Sequence, residues 1–531
     1  MNTPSPRTLC APTFLVIWLC GWVSQSEAQI SIVEAPKSAG DEKPTMEDSW
    51  ILERDDQTGI TVRTMELTLQ PKAEPRPALK YRLIPDDFDM RDGNAYVYYL
   101  KANGFFEQSL ARERLTQIHK GASAQAEKEG KQYHQVPPAV WRSTPPQELP
   151  LDEVKEYLRL TSFQPQFIRE AAQRDRFDAD RNLHEVYDLI GYLLPEIHSM
   201  RELARTQSLR CRVALAEGRI EDAIAITGQQ FALARHMGHD DFLVSNLVGI
   251  AIAGIGWNDA LYLVQHPETP NLYWALASMP KPLVDLRHSL AVERQFLYLQ
   301  LKELREVDET PRPVGYWQDF LGRLLGQFGC LASEFGFGSL HEAPELERTK
   351  LVAFVAAAYP GAKEYLIDEC NLPRDQVEAY PTAQVVALAA VRFYDQCRDD
   401  TFKWTHLPYW QAQASGRRVD DAMRAASKKY GLCTAPAMLL LPAIRAACTA
   451  EARCDQTVAL LQTVEAIRMY GAAHDGKLPR SLDELPVPAP VEPFTGKPID
   501  YECFGSRAVL SGHSLPGLRY RLVLRLAKQS G

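Results

Sequence analysis

The apolar residues of this chain recur mostly at steps of three and four positions, which is the spacing of one face of an α-helix. From about residue 150 to residue 450 this pattern is nearly continuous. Pro195 lies inside one such run and predicts a kink or the start of a new helix. The pattern predicts a large multi-helix body. Its clearest run is formed by Leu183, Val186, Ile190, Leu193, Ile197, Met200 and Leu203.

One stretch, LAEGRIEDAIAITGQQFALARHMG at 215–238, predicts two helices joined by a tight turn. Gly218 is expected to take the positive φ that ends the first helix. Ala223 is the small residue that would let the two helices approach closely, and Gly238 is expected to end the second helix. We therefore assign Gly218, Ala223 and Gly238 a structural role in a helix elbow.

Apolar and polar residues alternate near both ends of the chain, which is typical of β-strands. ITVRTMELTL at 60–69 predicts one strand, and 499–503, 507–511 and 520–525 predict a small antiparallel sheet after a helix. The predicted fold is mainly α, a multi-helix body with repeat-like helix hairpins plus a small C-terminal α+β module with antiparallel strands. The predicted segments are 1–28 (signal peptide), 29–92 (flexible or extended, with a short strand), 93–450 (helical body) and 451–531 (α+β module).

Composition places the chain among globular proteins with more than one domain. It has 531 residues, of which 45% are hydrophobic and 24% charged. The formal net charge is −9, so the chain has no basic footprint for nucleic acid.

The N-terminal pattern predicts export. Arg7 precedes the apolar run LCAPTFLVIWLCGWV, and small residues precede a cleavage point between Ala28 and Gln29. The alternative is an uncleaved anchor, but a run of about 15 residues is shorter than the roughly 20 of a spanning helix. The other long apolar run, Phe242–Trp257, is interpreted as a buried core helix. We expect a periplasmic or extracellular protein with no stable membrane span after cleavage.

Export permits disulfides, yet the cysteines do not define a framework. Ten cysteines occur and none forms a CxxC pair, which leaves no zinc or redox motif. The four cysteines between Cys397 and Cys454 leave both a bridge and free thiols open.

Sequence motifs assign no catalytic residue, cofactor or metal. The chain lacks GxSxG, GxxxxGK[ST] and GxGxxG, so serine hydrolase and nucleotide-loop chemistry are not indicated. The ligand-type residues His236, His239 and Asp241 are better explained as a helix end and its following cap. Pairs of carboxylates for glycoside hydrolysis stay open, because such pairs meet in space and leave no spacing in sequence.

Several short motifs resemble a family of large uncharacterised exported proteins of planctomycete-type bacteria. The resemblance runs from about residue 65 to the end of the chain and implies export, but no activity or cofactor. It rests on PRPALKYRLIP, GNAYVYYLKA, LAEGRIEDAI, VEAYPTAQVV, AIRMYGAAHDGKLPRSLDEL and PFTGKPIDYE.

Two further likenesses are partial. AEGRIEDAI resembles the turn of one tetratricopeptide repeat, but Thr227 stands where that repeat carries an aromatic residue, and no convincing second copy follows. The C-terminal module resembles the globular part of type II secretion pseudopilins in its Leu478-Pro479 loop and its Pro493–Gly496 turn. It departs from them because its helix is interior to the chain and carries charged residues.

These observations favour a non-enzymatic extracytoplasmic scaffold or protein-binding protein, whose partners would be envelope proteins or peptides. The alternatives are a hydrolase with a helical body that acts on an exported polymer, and an accessory protein of a secretion or pilus-like assembly.

Overall fold

The computed structural model describes residues 45–55, 58–104, 110–186, 189, 192, 194–334, 344–514 and 517–527. The predicted cleavage site at Ala28 and Gln29 lies outside these residues. The fold is mainly α with a small sheet, as predicted. The helices are α1 (Ala95–Ala102), α2 (Leu110–Glu129), α3 (Leu151–Arg159), α4 (Gln164–Ala172), α5 (Pro195–Ala216), α6 (Ile220–Met237), α7 (Leu243–Leu263), α8 (Tyr273–Ala277), α9 (Arg287–Glu293), α10 (Phe296–Gln300), α11 (Val314–Glu334), α12 (Pro344–Asp368), α13 (Arg374–Ala379), α14 (Thr382–Phe402), α15 (Tyr409–Tyr430), α16 (Ala435–Leu440) and α17 (Pro442–Ala473).

The strands of the described residues form two sheets. A six-stranded sheet has the order β1-β2-β3-β8-β7-β6, and β4 pairs with β5 in a separate two-stranded ladder. The strands are β1 (Thr45–Glu47), β2 (Trp50–Asp55), β3 (Ile60–Leu69), β4 (Arg91–Asn94), β5 (Arg174–Arg176), β6 (Asp500–Phe504), β7 (Arg507–Ser511) and β8 (Leu518–Leu526).

The chain divides into two compact units that do not follow the segments expected from the sequence. The sheet unit comprises the described residues of Gln29–Ala179, Leu194–His288 and Ala450–Gly531. The helical unit comprises those of Asp180–Leu193 and Ser289–Thr449. A segmentation at residues 93 and 451 follows the local pattern, whereas these units follow packing between residues far apart in sequence.

The six-stranded sheet joins segments that are far apart in sequence. β3 runs parallel to β8, with Thr61 opposite Leu518 and Leu69 opposite Leu526. The strand predicted at 60–69 is present with those bounds, but the preceding β1–β2 hairpin lies in a region that we expected to be flexible. Its turn is stabilised from outside, because the Asp48 carboxylate accepts hydrogen bonds from Arg212 Nη2 (2.9 Å) and from the Tyr262 hydroxyl (2.9 Å). Because the residues of this turn are polar, the sequence pattern did not predict the β1–β2 hairpin.

The core of the sheet unit is the C-terminal part of α17. Every residue from Gln456 to Met469 is buried. Within this stretch the Arg468 guanidinium donates to both Glu465 carboxylate oxygens at 2.7 and 2.9 Å. It also donates to the carbonyl oxygens of Gln70 (3.0 Å) and Thr269 (2.8 Å). One side chain therefore ties α17 to the end of β3 and to the loop after α7.

The elbow predicted at 215–238 is a helix hairpin in the sheet unit. Gly218 has φ +72° between α5 and α6, and Ala223 is fully buried at the helix contact. The side chains of Gln207 and Gln229 hydrogen bond at 2.8 Å, and Cys211 Sγ lies 3.7 Å from the Ala223 carbonyl oxygen, so the helices run antiparallel. α7 continues the arrangement as a third helix against α6.

Gly238 follows the last residue of α6 but has an ordinary helical φ of −65°. Its lack of a side chain serves close packing, because a Cβ there would lie 3.0 Å from the Asp285 backbone nitrogen and 3.3 Å from Val284 Cγ1. The reason for glycine at this position is therefore a neighbouring loop that is distant in sequence.

Replacement of Gly228 by alanine is expected to destabilise the protein. A Cβ on this α6 residue would overlap the carbonyl oxygen of Leu83, and backbone cannot move aside as a side-chain tip can. We expect Gly228→Ala to lower the free energy of unfolding by about 2 kcal/mol. Denaturant titration followed by circular dichroism measures the change.

The matched control is Gly254→Ala on α7, where a Cβ meets no atom within 4 Å. This change is expected to be neutral or to raise the free energy of unfolding by up to about 1 kcal/mol, because alanine favours the helix. Equal effects of the two substitutions would contradict the close approach of Leu83 to α6.

Candidate binding cleft

A cleft of about 560 Å³ lies within the helical unit, between α14 and α15. The C-terminal end of α12 and the turn after α14 complete its walls. It is lined by Tyr365, Glu369, Phe393, Gln396, Cys397, Asp400, Lys403, Trp404, Ser415, Arg418, Val419, Ala422, Met423, Ala426 and Tyr430.

The cleft follows from helical spacing on the two helices. α14 contributes residues at i, i+3, i+4 and i+7, which share one helix face. α15 contributes a second face that is rich in small residues, and these leave space where larger side chains would fill it. The two sets are Phe393, Gln396, Cys397 and Asp400 on α14, and Val419, Ala422, Met423 and Ala426 on α15.

Three of the four aromatic residues in the lining pack against one another and form an apolar wall. Tyr365 packs edge-on against Phe393 with a centroid distance of 5.4 Å, and against Tyr430 at 5.3 Å. The Tyr365 hydroxyl donates to Gln396 Oε1 at 3.0 Å, and the Tyr430 hydroxyl donates to Glu369 Oε1 at 2.6 Å. Because both phenols are hydrogen bonded, the rings are fixed and present mainly their apolar edges and faces.

The polar residues at the cleft carry both signs of charge. Lys403 Nζ donates to Asp400 Oδ1 at 2.5 Å. Arg418 is exposed, and its Nη2 donates to Ser415 Oγ at 2.9 Å. The Ser415 hydroxyl does not neutralise the charge of Arg418 and takes only one of the five guanidinium N–H groups. Arg418 can therefore also donate to an acidic group of a ligand.

Cys397 is the thiol in the cleft wall. Burial raises its pKa to about 12, because the charged thiolate is poorly solvated there. The described cysteines are all free thiols, so no bridge forms among Cys397, Cys433, Cys448 and Cys454. The side chain of Cys330 is outside the described part of the chain.

The elbow residues singled out from the sequence are not part of this cleft. Gly218, Ala223 and Gly238 belong to the sheet unit, whereas every lining residue belongs to the helical unit. Sequence reasoning missed the cleft. The feature of the sequence that could have indicated the cleft is the row of small residues on one face of α15. Apolar periodicity alone assigns such a row to the hydrophobic core.

His236 has a structural role in the sheet unit. Its Nδ1 accepts from the Tyr99 hydroxyl at 2.9 Å, and its Nε2 lies 3.0 Å from the Arg174 carbonyl oxygen, which only accepts. Nε2 therefore carries the proton. Burial lowers the pKa of His236 to about 3, so the ring is neutral. Among the described residues, no group of three or more His, Cys, Asp or Glu side chains is arranged to hold a metal ion.

The described residues include one helical stretch, Tyr409–Ala473, with an apolar window long enough to cross a membrane. The window has a mean hydropathy of 1.5, and 33% of it is buried inside the protein. Core helices of soluble proteins also meet these criteria of length and composition, so this is weak evidence for a membrane span.

Cys397 is expected to resist alkylation in the folded protein. With a pKa of about 12, roughly one thiol in ten thousand is ionised at pH 8, and the thiolate is the reactive form. Mass spectrometry after timed treatment with iodoacetamide measures the rate. The same treatment in denaturant supplies the control, and equal labelling in both conditions would contradict a buried thiol.

Comparison with known proteins does not add a relative. No protein-family model, no curated protein and no solved structure matches the chain. The motif resemblances therefore stay predictions, and the geometry of the cleft is the basis for a functional argument.

Proposed function

We propose that this protein is an extracytoplasmic scaffold that binds a peptide segment of an envelope partner in the α14–α15 cleft. The observation that supports this function is the combination of a rigid aromatic wall with charged groups of both signs at one cleft of about 560 Å³. That volume accommodates one or two large side chains of a peptide.

The chemistry of the walls favours recognition of a bulky apolar side chain beside a charged one. Tyr365, Phe393 and Tyr430 offer apolar contact area that is already fixed by packing. A preorganised aromatic wall binds with little loss of side-chain freedom. Arg418 is placed to pair with an acidic group of the ligand.

Binding is better supported than catalysis at this cleft. The Cys397 thiol is protonated at neutral pH, and the Asp400 and Glu369 carboxylates each accept a hydrogen bond from a neighbouring side chain. A nucleophile or general base needs an available ionised group that reaches the substrate.

A role in a pilus-like assembly has less support. Pilin-type assembly needs an apolar strip on the helix that packs against its neighbours, whereas α17 is buried at every residue from Gln456 to Met469. The extracytoplasmic location rests on the N-terminal sequence pattern and on the motif resemblance to exported bacterial proteins.

The test is affinity capture from cell envelopes with the purified protein and two matched variants. Ala422 lines the cleft and is exposed, so Ala422→Trp fills the cleft without disturbing the core. Ala425→Trp adds the same side chain to an exposed position of α15 outside the lining. We expect the parent and Ala425→Trp to recover the same partner, and Ala422→Trp to recover about tenfold less. Quantitative mass spectrometry measures the recovery.

Two outcomes would overturn the proposal. One is a set of captured proteins that does not differ between Ala422→Trp and Ala425→Trp, because the cleft would then make no contribution. The other is turnover of a glycan or peptide panel by the parent that Ala422→Trp abolishes, since the cleft would then be an active site.

A further inference from the structure

A loop of the sheet unit, residues 281–288, is held by two carboxylates of one helix. Asp455 Oδ1 accepts a hydrogen bond from the Leu283 backbone nitrogen at 3.1 Å. Glu451 Oε1 accepts one from the Leu286 backbone nitrogen, also at 3.1 Å. The two acids are four residues apart on α17, so they lie on the same helix face one turn apart. Both are partly buried.

The charged groups around this pair are mixed in sign. The loop contributes Asp285, whose negative charge raises the pKa of both carboxyls. It also contributes two cations that lower these pKa values, Lys281 for Asp455 and Arg287 for Glu451. Arg287 is largely exposed and its guanidinium is already engaged by Asp285, with Nε 2.9 Å from Oδ1. The segment after α6 adds His239, which interacts with Asp285. Within the described part of the chain, the cations that act on Glu451 and Asp455 are the exposed Arg287 and Lys281.

Ionisation of this pair is therefore costly in the closed arrangement. Burial raises the pKa of Glu451 to about 7, with a further contribution from Asp455. Burial also raises the pKa of Asp455 to about 6. A carboxyl group keeps a carbonyl oxygen that accepts the backbone hydrogen bond after protonation, so the contacts to Leu283 and Leu286 survive in the neutral form.

We propose that Glu451 and Asp455 form a proton-controlled clasp, which holds the 281–288 loop closed when the carboxyls are protonated and loosens it when they ionise. In the open loop both acids regain water and their ordinary pKa values. The closed form therefore binds protons more tightly than the open form. The free-energy preference for the closed loop over the open loop is therefore complete below about pH 4. It is lost as the pH rises through about 6 and 7, where the two carboxyls ionise in the closed form.

The loop matters to the helix hairpin because it packs into it. Val284 Cγ1 would lie 3.3 Å from a Cβ added at Gly238, at the end of α6, and 3.4 Å from one added at Gly249, where α7 closely approaches α6. Loosening the loop would uncover this glycine-lined seam. The clasp is thus a conformational device of the sheet unit, independent of the proposed binding cleft.

Residue-resolved hydrogen exchange of the full chain tests the clasp at the Leu283 and Leu286 amides. After correction for the intrinsic pH dependence of exchange, we expect opening to be about tenfold or more favoured at pH 8 than at pH 5, because one pKa unit corresponds to tenfold. The double substitution Glu451→Gln with Asp455→Asn keeps an amide oxygen as acceptor and cannot ionise. It should give protection that does not change between these pH values.

The control is Glu492→Gln, which neutralises another buried carboxylate of the same unit. Glu492 accepts from the Phe494 and Thr495 backbone nitrogens at 2.9 Å and from Gln456 Nε2 at 2.6 Å, so these hydrogen bonds are to residues outside the loop. This variant should keep the parent's pH profile at Leu283 and Leu286. If the double variant does not fold, Glu451→Gln alone should remove most of the effect. Parent protection that is flat with pH, or a pH profile that the clasp variants retain, would overturn the proposal.

Discussion

The guanidinium of Arg468 is the interaction on which the sheet unit depends. It is fully buried and donates to Glu465, to the end of β3 at Gln70 and to the loop after α7 at Thr269. A buried charge is tolerated only when it is paired and its donors are satisfied. These three segments must therefore meet around one point, which places the parallel β3–β8 pair against α17. An apolar replacement would fill the space but would leave the carbonyl oxygens without their donor.

This arrangement explains why the sequence predicted the helix but not its burial. Val458, Leu461, Val464 and Ile467 have the spacing of one apolar helix face, and the charged residues Glu465 and Arg468 follow within the same stretch. The structure buries both faces, because Glu465 and Arg468 neutralise each other there. A charged residue predicts an exposed position only when it has no partner of opposite charge. Two opposite charges three residues apart on a helix have the same sequence spacing whether the pair is buried or exposed.

The fold class and the strands β3, β6, β7 and β8 were predictable because they depend on local periodicity. The pairing of β3 with β8 was not, since it joins residues more than 450 positions apart and leaves no mark in either strand. The β1–β2 hairpin was missed for a related reason, because Asp48 is held by Arg212 and Tyr262 from distant helices. The cleft was missed because Ala422 and Ala426 on α15 look like core positions until the facing helix is known.

The same helix shows why its two halves are expected to differ in proton sensitivity. Burial raises the pKa of Glu465, but Arg468 opposes that rise from within the core, so this carboxylate has a fixed partner. Glu451 and Asp455 lie where α17 meets the 281–288 loop, and there the cations Lys281 and Arg287 are exposed. Solvent screens exposed cations, so they compensate buried carboxylates weakly. The core half of α17 is therefore locked by charge pairing, whereas its loop-facing half responds to protons.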